Sequence, residues 1–127
     1  MFNTIKTSRE NKERVIQLTR KLNLGAENVI ARLAFAYSLA QEQKVDLSKA
    51  QDSQGKEYSY KVLFGENGDY YLAMLCVHYS IHISDKDLAR YVKMHIDDGL
   101  ELLDHEFKKS SGNGLDFLIQ KINNGLV

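Results

Sequence analysis

His78 and His82 stand four residues apart in a stretch, Tyr70 to Ile83, that reads as a helix. That spacing stacks two imidazoles on one helix face, where they could ligate a metal ion. No glutamate follows His78, so the His-Glu-x-x-His pattern is absent, and no third ligand declares itself nearby. The pair therefore reads as ordinary residues of a partly exposed helix. Asp97-Asp98, with Glu101 and Asp104, is an acidic run that could bind Mg²⁺. Such a run is more often a solvated helix face or a surface for a basic partner. Cys76 is the single cysteine and lies in an apolar stretch, where a thiol is usually inert. One thiol closes no internal disulfide, and no Cys-x-x-Cys pair exists, which points to a reducing, cytoplasmic setting. Gly65-x-x-Gly68 lacks the Lys-Ser/Thr of a phosphate loop, and no Gly-x-Ser-x-Gly is present. None of these patterns argues for an enzyme, a metal or a cofactor.

The charge distribution is more informative. The 127 residues have a formal net charge of zero. Residues 1–32 nevertheless hold seven bases (Lys6, Arg9, Lys12, Arg14, Arg20, Lys21 and Arg32) against three acids, and the remainder carries the opposite excess. A basic end on a neutral chain points to a polyanionic partner. Lysine and arginine neutralise phosphates and release counterions with little sequence preference. These seven residues are the candidate DNA contacts. Arg20 and Lys21 come first, since no acid lies close to them in sequence; pairing with the C-terminal dipole of their helix is an equal alternative. Arg32 has a second reading as a buried partner in an oligomer interface.

The elements that must position these residues are mostly helices. Hydrophobic content of 43% and charged content of 27% suit one folded domain over residues 1–127, and no proline interrupts any periodic segment. Phe2 to Thr7 suggests a short strand. Ser8 is placed to cap a helix from about Arg9 to Leu22, with Val15, Leu18 and Leu22 on one stripe. Gly25 is the expected left-handed cap. The next helix, about Ala26 to Gln43, is apolar around nearly its whole circumference, interrupted only by Arg32 and Ser38. Such a helix is buried on all sides, in part against another copy of the chain. Residues 45–55 read as a loop, 56–64 as a weak strand and Gly65 to Gly68 as a turn. Ser84 and Asp87 resemble a capping box opening a helix that Gly99 interrupts or kinks. Ser110 to Gly114 reads as a linker before a last helix, about Leu115 to Asn123. No secretory signal is visible, and the longest apolar run is too short to cross a bilayer. The fold class is mainly α: a compact helical domain with a strand-helix-helix start of ribbon-helix-helix type.

Leu22-Asn-Leu-Gly25-Ala-Glu-Asn28-Val-Ile-Ala31-Arg32-Leu-Ala34-Phe-Ala-Tyr-Ser38-Leu39 resembles the helix-turn-helix stretch of the DndE family, the small subunit of bacterial DNA phosphorothioate modification. Gly55-Lys-Glu57, Leu63-Phe-Gly65-Glu66 and Tyr70-Tyr71 are similar to that family's middle section. The resemblance implies a non-catalytic subunit that works with other phosphorothioation proteins, self-associates as a tetramer and binds duplex DNA, preferring nicked DNA. The alternatives are an adaptor of the same complex whose acidic half docks a basic partner, a ribbon-helix-helix regulator of one operator, and an enzyme using Cys76 as sulfur acceptor.

Overall fold

The computed structural model describes residues 2–110 and 113–125, with side chains up to residue 123. The order is β1 (Thr4–Lys6), α1 (Arg9–Lys21), α2 (Glu27–Ala40), β2 (Glu57–Ser59), α3 (Tyr60–Phe64), α4 (Gly68–Tyr79), α5 (Leu88–Lys109) and α6 (Gly114–Gly125), with single 3₁₀ turns at Leu47–Lys49 and Gly65–Asn67. The fold is mainly helical, as expected, and the strand-helix-helix start is present. β1 finds its partner within the chain. It runs antiparallel to β2 with Ile5 opposite Tyr58, and both of these point into the core while their neighbours face out. The ribbon-helix-helix arrangement pairs two copies of the first strand across a dimer; here that strand is paired with β2 instead.

Residues 56–64 divide at Ser59. The strand stops there because the Ser59 hydroxyl accepts the Val62 N–H, which caps α3 and turns Leu63 and Phe64 inward. Ser8 caps α1 in the same way, accepting from the Asn11 N–H, and Val15, Leu18 and Leu22 are buried as their spacing predicts. The end of α1 differs from expectation. Asn23, at φ 55°, makes the left-handed exit, with its own N–H bonding to Arg20 O and the Leu24 N–H to Thr19 O. These are the two bonds of a Schellman motif, so Gly25 lies beyond the cap.

α2 and α5 form the centre of the fold. α2 buries Ile30, Ala31, Ala34, Phe35, Ser38 and Leu39, but Leu33 is 38% exposed and Ala40 faces solvent. It is thus covered on most sides rather than all. α5 is one unbroken helix of 22 residues. Gly99 neither interrupts nor kinks it. A Cβ there would lie 1.9 Å from the Ala34 carbonyl oxygen, so glycine lets the two backbones approach. The capping box at Ser84 is absent: α5 starts only at Leu88, and the Ser84 hydroxyl pairs with His82 Nδ1 at 2.7 Å. α4 ends at Tyr79, where Ser80 turns left-handed at φ 55°.

Candidate nucleic-acid interface

α1 sorts its charges by helical phase. Asn11, Val15, Leu18 and Leu22 face the core. Arg9 and Arg20 share the opposite face with Glu13 and the partly exposed Ile16, while Lys12 and Lys21 lie on its two flanks. Lys6 projects from β1, exposed and opposite Glu57 in the ladder. Among the described residues, no ion pair involves Lys6, Arg9, Lys12, Arg20 or Lys21. Arg20 and Lys21 occupy the last turn of α1, where its dipole favours positive charge.

The other two candidates are tied down internally. Arg14 Nε meets Asp104 Oδ2 at 3.1 Å, and its remaining nitrogens reach Glu10 at 3.0 Å and Asn11 Oδ1 at 3.0 Å. Burial disfavours its charge, but Asp104, Glu10 and Glu101 outweigh that and raise its pKa. Arg32 donates from Nε to Leu63 O and from an Nη to Val62 O at 3.1 Å, satisfying carbonyls in the last turn of α3. The structure therefore separates five exposed cations from two arginines that fasten elements together.

The acidic run of α5 is not a solvated face. Asp97 is buried and accepts the Ser8 N–H at 3.0 Å, Asn11 Nδ2 at 2.8 Å and Lys93 Nζ at 2.6 Å. This clamp holds the first turn of α1 against α5 and fixes which side of α1 faces solvent. Asp104 is likewise buried and takes Arg14 and Lys108. Asp98 accepts the Ser38 hydroxyl at 2.6 Å. Among the described residues, no group of three or more His, Cys, Asp or Glu side chains is placed to hold a metal. His78 and His82 do not share a helix face, because α4 stops between them; His78 Nε2 meets Gln43 O instead.

A polar chain inside the core was missed by sequence reasoning. His95 lies between the Tyr79 hydroxyl at 2.6 Å and the Ser38 hydroxyl at 2.8 Å. The Ser38 proton goes to Asp98, so Ser38 accepts from His95 Nδ1–H, and Nε2 accepts from Tyr79. Tyr79 in turn accepts the Val45 N–H. Every proton is placed with His95 neutral. Burial, with help from nearby His78, lowers its pKa to about 4. The set contains Ser, His and Asp, but the Asp holds the Ser rather than orienting the His, and Ser38 is only 1% exposed. It is therefore built to hold α2, α4 and α5 together rather than to attack a substrate. Ser38 as one of two interruptions of an apolar helix, and His95 in phase with Leu88 and Val92, were the available signals. Cys76 is half-buried, and burial with Asp85 raises its pKa, which disfavours the thiolate.

α4 carries the other exposed feature. It buries Leu72 and Leu75 but turns Tyr70, 74% exposed, Met74 and Val77, 79% exposed, to the outside. With Ala73, Leu39 and His78 these line an apolar hollow of about 570 Å³.

A cationic helix clamped on a helical core, with a two-strand ladder at its head and an apolar face elsewhere, defines a small helical protein with two chemically distinct outer surfaces. The chain belongs to the DndE family: the family profile described as "DNA sulphur modification protein DndE" matches residues 4–111. In fold it is similar to the crystal structure of DndE from Escherichia coli B7A, involved in DNA phosphorothioation modification, with 23% identity and a TM-score of 0.64. That likeness covers 81% of this chain and 98% of the other. A double glycine-to-lysine variant of DndE gives 21% identity and a TM-score of 0.66, covering 80% of this chain and 97% of the other. No curated protein sequence matches the chain. The family match ends before α6 begins. No described helix is long and apolar enough to cross a membrane.

Proposed function

We propose that the chain is a non-catalytic DNA-binding subunit of a phosphorothioation complex, gripping the backbone of duplex DNA through the outer face of α1. One observation carries this reading: Arg9, Lys12, Arg20 and Lys21 stand exposed without an ion pair among the described residues, whereas Arg14 and Arg32 of the same segment are engaged internally. Lys6 extends the same charge at the β1 end. The reading includes a preference for nicked duplex, as the DndE resemblance implies, and other phosphorothioation proteins as partners.

The α4 face supports a second part of the same reading, self-association to a homotetramer. Exposed tyrosine, methionine and valine at i, i+4 and i+7 are the usual core of a protein contact. For the adaptor alternative, Asp97 and Asp104 are engaged inside the fold and drop out of the acidic docking surface, while Glu42, Asp46, Glu66 and Asp69 stay exposed. The operator-reading alternative loses its free strand to the β1–β2 ladder.

The test is an anisotropy titration against intact, nicked and single-stranded DNA of unrelated sequences at several salt concentrations. Four phosphate contacts predict a log–log salt slope of about −3 to −4. Binding should ignore sequence and favour the nick. Absence of binding to any DNA at low salt would sink the proposal.

A further inference from the structure

The outer surface of α1 is not uniformly cationic. Its positive charges gather at the two ends of the helix. Arg9 and Lys12 lie in the first turn, with Lys6 just ahead of them on β1, and Arg20 and Lys21 lie in the last turn. Between these ends the same surface presents Glu13 and Ile16, the latter 40% exposed. Glu13 accepts from Gln17 Nε2 at 3.2 Å and joins no ion pair among the described residues, so its charge is not neutralised within the fold. The other acid of the helix, Glu10, is paired with Arg14. At 1.5 Å of rise per residue, Arg9 and Arg20 stand about 16 Å apart along the axis, and Lys12 and Arg20 about 12 Å.

This order of charges selects how a duplex can lie against the helix. Each DNA strand carries a phosphate about every 3.4 Å of duplex axis. Were α1 laid along one strand, the phosphates between its two ends would face the Glu13 carboxylate, a like charge, and the Ile16 side chain, which offers no hydrogen bond. Laid across the major groove, about 12 Å wide, its two ends meet phosphates of opposite strands and its middle lies over open groove. The minor groove, about 6 Å wide, is too narrow for that separation.

We propose that α1 spans the major groove of duplex DNA, with the Arg9–Lys12 end on the backbone of one strand and the Arg20–Lys21 end on the backbone of the other. The inference rests on the DNA-binding reading above and adds that one helix holds both strands at once. Glu13 and Ile16 set the orientation, since they disfavour any placement of the helix alongside a single strand. Asp52, on the Arg9 N–H, and Glu57, opposite Lys6 in the ladder, offset part of the charge at the first end, which leaves Arg9 and Lys12 as its two phosphate contacts.

The experiment titrates the full-length chain against two short duplexes of one sequence at several salt concentrations. One duplex is unmodified; in the other, one strand carries uncharged methylphosphonate linkages throughout. On the unmodified duplex, two contacts at each end give a log–log salt slope of about −3 to −4. On the half-neutral duplex only one end of α1 finds phosphates, and the slope should fall to about −1.5. A slope of about −3 there, from four contacts on the charged strand, overturns the proposal and leaves DNA binding standing. An Ile16→Lys chain adds a cation where no phosphate is expected. Its slope on the unmodified duplex should match that of wild type, and an increase in magnitude of about 1 also overturns the proposal. No binding to the unmodified duplex removes the DNA-binding reading itself, and this inference with it.

Discussion

α1 and α5 are both strongly charged helices, and they place their charges in opposite ways. α5 turns Asp97 and Asp104 inward, where each accepts from cations and, for Asp97, from the first turn of α1. α1 keeps Asn11 and Arg14 for that inner contact and leaves Arg9, Lys12, Arg20 and Lys21 outside. Counted along the sequence, both are runs of charge. In the fold, one run sets the geometry and the other is available to a partner. The lesson is that the apparent acidic surface of the C-terminal part is partly interior, so the cationic face of α1 has fewer exposed acids to offset it than composition suggests.

The contrast can be broken most severely at Asp97. Asp97→Ala leaves Lys93 buried without its partner and should cost about 3–5 kcal/mol in urea unfolding. Arg14→Ala removes the link to Asp104 but leaves Lys108 in place, and a loss of about 2 kcal/mol is expected by the same measurement. An intermediate effect comes from pH. The pKa of His95 is lower in the folded chain than in the unfolded one, so the unfolded state binds more protons between pH 6.5 and about 4. The contribution is fully present above pH 6.5 and is lost as pH falls toward 4, by about 3 kcal/mol in total. A His95→Gln chain should lack the part of this dependence seen between pH 6.5 and 5. The smallest change in stability belongs to Arg20→Ala/Lys21→Ala, within about 0.5 kcal/mol of wild type. That double variant should still lower DNA affinity and reduce the salt slope by about 2. Equal losses of stability for Arg14→Ala and the double variant would erase the distinction between inner and outer cations.

Local signals made much of the fold legible. The Ser8 cap and the Val15, Leu18, Leu22 stripe act within a few turns and came through unchanged. What a residue meets across the fold was harder to read. Lys93, Asp97, Leu100 and Asp104 share one side of α5, but only the position of α1 makes that side interior. Gly99 looks like a break until Ala34 is seen against it. His82 falls outside α4 because the chain turns at Ser80, a residue with no strong turn preference of its own. Of the candidate site, the sequence showed which residues are cationic, and only packing showed that Arg14 and Arg32 belong to the framework.

The β1–β2 ladder also bears on how the chain acquires its fold. Its strands lie about fifty residues apart in sequence, and each contributes only three residues. Closing so long a loop costs entropy before so short a ladder can repay it. Helices α1 and α2, joined by a tight turn, form through local contacts. The ladder should then form late, stapling the N-terminal segment onto a partly assembled core. Substitutions such as Ile5→Val or Tyr58→Phe should accelerate unfolding while leaving the folding rate nearly unchanged, with φ-values near zero.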